Sequence, residues 1–470
     1  MNVAVIGGGD INDTLAQRLE NEGFTPVILA DVDGIDAISG QIGSFDIKTG
    51  GKNIKACCII VTERKAALPD GIYQENPGAS CIPLLSAVRE DIPGGIKGKI
   101  VFLMDHPDES PGFMTAVALE KALGLAGRKR KVVYLSRFMR TAGEGLEDLY
   151  ARARENGVTF LKYEDVRIGY HSGENLFRLK ASDRYGEVEI DAEVLIAADR
   201  VIPGEAGERA ARLLRLKTDN EGFIKGDAYF LYPVLTNRKG VYSLSLSKNE
   251  AAGKGLDEAV DYIIKDIGKG LAMLGTGEHA EVDNGKCAFC YSCYRACPHA
   301  AMTPDFENSA MKNLEDACFA CGICVSICPA QAVGIVPAGD TDRKGIGVKA
   351  APNALKVFCC ENSAEIALKN ITGRPEGAFD DISISGVSCG GDITAEKIIG
   401  ALKEYGKVLV AVCVDEACKH FEGNVRARLQ VERAREMLAS AGMDTGRVEF
   451  LQVSCAMPEA IGRYLDAGRL

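Results

Sequence analysis

Apolar residues fall in short runs, set apart by glycine-rich turns and by stretches of helical spacing. Asn2–Ile6 is the first run and ends in Gly7-Gly8-Gly9. Ile11–Leu19 then has helical spacing, and Thr25–Ala30 is apolar again up to Asp31. This pattern predicts strand, glycine turn, helix and strand. Ser44–Lys48 and Ala56–Val61 read as further strands. A second series starts at Ile100–Met104, with a helix over Met114–Leu125, a strand at Lys131–Ser136, a helix over Leu146–Asn156 and a strand at Val158–Tyr163. Leu176–Ser182 and Glu187–Asp199 predict a meander back to the first series, closed by a strand at Gly240–Leu244 and a helix over Leu256–Ile267. From Leu355 short strands alternate with helices again, which predicts a parallel sheet. The expected fold is α/β and multidomain.

The 470 residues suggest about three domains. A formal net charge of -11 argues against a nucleic-acid partner, and Arg128–Lys131, the longest basic stretch, reads as a solvated turn. No apolar run approaches the ~18 residues of a membrane span. The N-terminus has no cationic, cleavable leader pattern, so the expectation is a cytoplasmic protein, at most peripheral to a membrane complex. In such a chain 17 cysteines argue for metal sites rather than disulfides.

Two cysteine words stand out. Cys287, Cys290, Cys293 and Cys297 are followed by Pro298, and Cys318, Cys321, Cys324 and Cys328 by Pro329. Zinc words come as two separated CxxC pairs. Here three thiols fall in tight succession, twice, each with a fourth before proline. This is the dicluster ferredoxin spacing, in which the fourth cysteine serves the other cluster. It predicts one [4Fe-4S] cluster on Cys287, Cys290, Cys293 and Cys328, and another on Cys318, Cys321, Cys324 and Cys297. Tyr291, Tyr294 and Phe319 are expected to pack over them.

Cys57, Cys58 and Cys81 lie within or beside apolar runs and read as core thiols. The C-terminal cysteines are placed differently. Cys359-Cys360, Cys389, Cys413 with Cys418, and Cys455 each come at or just after the end of a strand. Parallel sheets gather ligands at the carboxyl ends of their strands, so a second metal site is expected there.

Gly7 and Gly9 occupy the first two glycine positions of a dinucleotide fingerprint, and Asp31 stands near a ribose position. Asn12 replaces the third glycine. The segments Val132–Thr141, Gly145–Tyr150, Gly157–Leu161 and Leu214–Asp219 resemble the A subunit of heterodisulfide reductase, and the likeness extends over roughly residues 1–340. That resemblance implies a thioredoxin-reductase-type lobe with FAD, touched by Gly7, Gly9 and Asp31. The chain departs from the family at Asn12, at Glu63 in place of a turn glycine, at Leu103–His106 and at Ser243–Lys248. Each departure removes a close backbone approach or a donor that a flavin uses, so the lobe is expected to be a degenerate one.

The stretch Phe358–Ala364, Cys389-Gly390-Gly391, Cys413, Cys418 with His420, and Gly423-Asn424 resembles the delta subunit of methyl-viologen-reducing hydrogenase. This implies a [2Fe-2S] cluster on four of Cys359, Cys360, Cys389, Cys413 and Cys418. His420 is read as a hydrogen-bond partner near the cluster, and Cys455 as core. The fusion is similar to the B subunit of quinone-interacting membrane-bound oxidoreductase, though shorter. The expected domains are a flavoprotein-like lobe at 1–98 and 186–275, an inserted dinucleotide-type unit at 99–185, the dicluster unit at 278–340 and the hydrogenase-like domain at 353–470. The expected role is an electron-transfer subunit. Its partners would be other subunits of a heterodisulfide-reductase-like or quinone-interacting complex and a redox protein as donor or acceptor. The alternative is a self-sufficient FAD-dependent NAD(P)H or bifurcating oxidoreductase.

Overall fold

The computed structural model describes residues 1–467 apart from 9–10, 64, 69–70, 73–79, 90–91, 93–95, 107–108, 111, 142–144, 221, 227–233, 246–254, 337–345, 348–353 and 372–381. Gly9, much of the expected linker after Val336 and Ser247-Lys248 lie outside the described residues.

In the first lobe four strands, Val241–Ser245, Cys58–Glu63, Asn2–Gly7 and Thr25–Leu29, lie in that order and all run parallel. Val3–Ile6 and Cys58–Val61 have no exposed surface. Burial on both faces is why they read as unbroken apolar runs. The helix Ile11–Asn21 joins Asn2–Gly7 to Thr25–Leu29 and buries Leu15 and Leu19. Cys57 and Cys58 belong to this core. An antiparallel meander of Ile35–Gln41, Ser44–Thr49 and Lys52–Ala56 precedes the strand Cys58–Glu63. Only its middle strand is apparent from sequence, because Ile35–Gln41 carries an interior glycine and a bulge that break the alternation.

The second unit is a five-stranded parallel sheet in the order Thr159–Lys162, Lys131–Ser136, Lys99–Leu103, Val194–Ala197 and Cys81–Pro83. It draws in Cys81–Pro83 and Val194–Ala197, which expected boundaries at 98 and 186 leave with the first lobe. Those strands are too short to announce their sheet: Val194–Ala197 joins it by pairing with Lys99–Leu103, and Cys81–Pro83 by pairing with Val194–Ala197. Asp165–His171, Leu176–Asp183 and Gly186–Ala192 form an antiparallel meander. The chain leaves the first lobe through Lys65–Leu68 and returns through Arg200–Pro203, and these two segments pair antiparallel.

The dicluster unit is small. His279–Val282 pairs with Val333–Val336, and Met302–Asp305 forms a hairpin with Ala310–Asn313. Its buried core includes Cys293, Cys318 and Cys324 among mainly small side chains.

The last domain has five strands in the order Ile346–Gly347, Ile382–Val387, Leu355–Cys360, Lys407–Val412 and Val448–Gln452; the last four are parallel. Helices Ala395–Ala401 and Gly423–Ser440 cover one face, and Ala364–Lys369 with Pro458–Ala467 the other. Thr394 caps Ala395–Ala401 by accepting from the Lys397 amide, and Asp392 pairs with the Lys397 side chain. Among the described residues no helix is long and apolar enough to cross a membrane.

Candidate metal centres

The two cysteine words have the same backbone. Phe289 and Ala320, each two residues after the first cysteine, have φ of 48° and 50°; Tyr291 and Gly322 have 60° and 73°; Ala300 and Gln331 have 53° and 50°. Side-chain-bearing residues enter the left-handed region at a cost. Five of them doing so at matching positions of two words marks a loop bent around something. Backbone N–H groups turn inward with it. Ala301 and Ala332, each four residues past the last cysteine, donate to Cys297 and Cys328 Sγ at 3.3 and 3.2 Å, and Met311 and Ala320 donate to Cys287 and Cys318 Sγ, both at 3.4 Å.

The buried thiols raise one another. Burial pushes Cys293 up to about 11, and Cys328, Cys287 and Cys290 push it the same way. Burial pushes Cys321 up to about 12, with Cys297 and Cys318 adding to it. Cys324 is raised well above its usual value, first by burial and then by Cys321, Cys297 and Cys318. Cys293 thus has Cys287, Cys290 and Cys328 beside it, Cys324 has Cys321, Cys297 and Cys318 ahead of Cys293, and Cys321 has Cys418 of the C-terminal domain beside it as well. Such thiols keep their protons unless a cation offsets the charge, so the donor set and its inward N–H groups fit metal clusters. Cys290 is the exposed member; a hydrogen bond with Ser292 lowers its pKa.

The C-terminal thiols also converge. Cys360 and Cys413 Sγ are 3.6 Å apart, and Cys389 and Cys418 Sγ 3.9 Å. Hydrogen bonds from Cys389 and Cys413 hold Cys418 far below its usual pKa, and one from Cys413 holds Cys360 down, while Cys389 and Cys413 are pushed up. Cys359 is not in this group. Successive side chains on a strand point to opposite faces. Cys359 packs with Val357 under the helices Ala364–Lys369 and Pro458–Ala467, its Sγ 3.6 Å from the Ser385 carbonyl, and burial raises it to about 12. Cys455, expected in the core, is exposed. Gly423 opens the long helix directly against the group: a Cβ there would lie 2.0 Å from Cys389 Sγ and 3.3 Å from Cys418 Sγ. Gly423→Ala is expected to abolish metal binding by these four thiols while the eight others keep theirs, as read by iron content and EPR.

The two thiol regions touch. Cys321, Ile323, Cys389 and Cys418 share one buried cluster. Gly391 packs so closely that a Cβ would meet Ile323 Cγ1 at 2.5 Å, and a Cβ on Gly322 would meet Asp392 Cα at 2.4 Å. Beside them, His299 Nε2 lies 2.9 Å from His420 Nδ1, and His299 Nδ1 lies 2.7 Å from the Asn237 carbonyl. Burial lowers both imidazoles, to about 3 and about 4, so both are neutral near pH 7. His420 lies near the thiols and its ring pairs with His299, an addition that sequence reasoning missed. A signal was there: His299 breaks the repeat at a position where the second word has Ala330.

The first lobe grips the same region. Arg215 donates to the Tyr294 carbonyl at 2.6 Å and lies over the Tyr294 ring at 4.0 Å. Lys239 donates to the Cys318 carbonyl, and Gln41 and Asp316 exchange hydrogen bonds of 2.9 and 3.2 Å. Asn237 and Lys239 precede the strand Val241–Ser245, at the amino ends of the parallel strands. The glycine turn is at the other, carboxyl end, a strand length of about 17–20 Å away.

At that turn the described residues fit a flavin poorly. Gly7 has φ +121° and a Cβ there would lie 2.1 Å from the Thr62 carbonyl oxygen, so packing against the neighbouring strand already requires glycine. Asn12 is buried and donates to the Gly7 carbonyl at 3.0 Å, closing the turn on itself, and its Oδ1 has no partner among the described residues. Asp31 accepts from the Gly34 amide at 3.2 Å within its own turn.

Twin cysteine loops beside a strand-edge thiol group define an iron–sulfur protein. Residues 286–333 match the family model of the 4Fe-4S dicluster domain, and residues 355–467 that of the methyl-viologen-reducing hydrogenase, delta subunit. Among curated proteins, one from Archaeoglobus profundus, named for its likeness to the heterodisulfide reductase A subunit, is 26% identical over 37% of this chain and 25% of its own length. The A subunit of the ferredoxin/F(420)H(2)-dependent CoB-CoM heterodisulfide reductase of Methanosarcina acetivorans is 25% identical over 70% of this chain and 42% of its own. This chain thus spans less than half the length of either relative. The thioredoxin reductase structure from T. acidophilum overlays with a TM-score of 0.35 and 14% identity, over 56% of this chain and 94% of that one. The chain is similar to the heterodisulfide reductase A subunit in its larger part and to the hydrogenase delta subunit in its C-terminal domain.

Proposed function

We propose that the chain is an electron-transfer subunit of a heterodisulfide-reductase-like complex. Cys287, Cys290, Cys293 and Cys328 would hold one [4Fe-4S] cluster, Cys318, Cys321, Cys324 and Cys297 another, and Cys360, Cys389, Cys413 and Cys418 a [2Fe-2S] cluster. When bound, these groups supply one-electron storage and transfer at potentials set by burial and by hydrogen bonds to sulfur. The observation that carries the reading is the buried cluster that Cys321 shares with Cys389 and Cys418, beside the core that holds Cys293, Cys318 and Cys324; it supports an arrangement of the three thiol groups in series. The residues do the rest. Left-handed turns aim N–H groups at the sulfurs, glycines let the two units close up, and the exposed Cys290 presents one end to a partner. Donor and acceptor would be redox proteins or further subunits, in a heterodisulfide-reductase-like or quinone-interacting assembly.

A second reading, a flavoenzyme that takes hydride from NAD(P)H, is favoured by the parallel first sheet and its glycine turn. Asn12 and Asp31, turned to local hydrogen bonds, weigh against it. An anaerobic redox titration followed by EPR and absorbance separates the two. The conduit predicts three one-electron centres and no bleaching of a flavin band on adding NADH or NADPH. Reduction by either nucleotide with a flavin signal would overturn it.

A further inference from the structure

Three units meet at two imidazoles. Asn237 comes from the first lobe, His299 from the dicluster unit and His420 from the C-terminal domain. His299 follows Cys297 by two residues and His420 follows Cys418 by two. The rings are 1% and 4% exposed. Phe319 stacks on His299 at 4.1 Å, and Lys239 of the first lobe caps Phe319 at 4.9 Å. A ligand atom of each histidine and Cys321 Sγ all lie within 4.8 Å of one another.

A carbonyl only accepts, so His299 Nδ1 donates to Asn237, and His299 Nε2 and His420 Nδ1 share a hydrogen bond of 2.9 Å. Burying two imidazoles costs more than burying an apolar pair of the same shape unless every bond is made. Here the bonds run in a single chain from the first lobe to the C-terminal domain, beside the buried cluster that holds Cys321 and Cys418.

We propose that His299 and His420 are positioning residues that fix the gap between the two cluster units and, through Asn237, key it to the first lobe. The first lobe then acts as a clamp on the electron path, from the sheet edge opposite its glycine turn. This rests on the cluster assignment of the preceding subsection.

The test uses the full chain, loaded anaerobically with iron and sulfide. His420→Phe and His420→Leu remove the shared hydrogen bond, whereas His420→Asn keeps an N–H where Nδ1 stood. Iron content, midpoint potentials, the magnetic interaction between the reduced centres and the rate of electron equilibration between them are measured. The apolar variants are expected to keep their iron and equilibrate roughly tenfold more slowly. They should also shift the potentials of the two flanking clusters, because a ring dipole beside Cys321 and two residues from Cys418 is lost. His420→Asn should stay close to the parent, within about twofold. An apolar variant with full iron and parental rate, coupling and potentials would overturn the proposal. If both apolar variants lose iron, the asparagine variant decides: parental coupling supports the proposal and a tenfold loss overturns it. A parent chain without iron overturns the cluster assignment itself, a result visible before any variant is compared.

Discussion

Cys360→Ser is expected to cost the protein its C-terminal centre, with about two irons lost per chain, while Cys359→Ser leaves the iron count unchanged. The two residues are adjacent and both buried, so neither spacing nor exposure separates them. Strand geometry does. Cys360 faces the side of the sheet covered by Ala395–Ala401 and Gly423–Ser440 and approaches Cys413, whereas Cys359 lies in the core on the opposite face. Iron analysis with EPR of the reduced protein reads the difference. Equal loss in both variants, or loss only with Cys359→Ser, would contradict the assignment.

The second large effect concerns folding. Stripping iron from the holoprotein is expected to unfold the dicluster unit while the two N-terminal sheets persist. The unit's buried core is built largely from alanines, methionines, one valine and the thiols themselves. So little apolar surface cannot offset chain entropy, and metal binding supplies the remainder. The first lobe has its own extensive core, from Val3–Ile6 through Ile59–Val61 to Ile263 and Ile267. Hydrogen exchange read by mass spectrometry should show amides at 287–332 exchanging rapidly in the apoprotein. Those of Asn2–Gly7 and Lys99–Leu103 should stay protected. Protection kept at 287–332 without iron would contradict this.

Much of the candidate site is legible in the sequence because its spacing is local. The two cysteine words carry matching loops, and the crossed grouping proposed for Cys297 and Cys328 is read from their spacing. The C-terminal group is legible because strand ends in a parallel sheet share one edge. What spacing does not carry is the face. The choice between Cys359 and Cys360 depends on which helices cover which side, and that is settled by packing far along the chain. The junction of Asn237, His299 and His420 was hidden for the same reason: its members are 62 and 121 residues apart. The limits of the second sheet were hidden because Cys81–Pro83 and Val194–Ala197 are short and pair with each other from opposite sides of Lys99–Leu103 in the sequence. Asn12 was legible as a departure, but its turn back onto the Gly7 carbonyl was not.

The metal and flavin content of the anaerobically purified full chain bears most directly on the cluster assignment. Iron, acid-labile sulfide, zinc and released flavin are determined on one sample. The expected result is about ten irons per chain, from two four-iron clusters and one two-iron cluster, with matching sulfide and without stoichiometric zinc or flavin. Zinc in place of iron would contradict the assignment outright, and one flavin per chain would return the first lobe to the flavoenzyme reading.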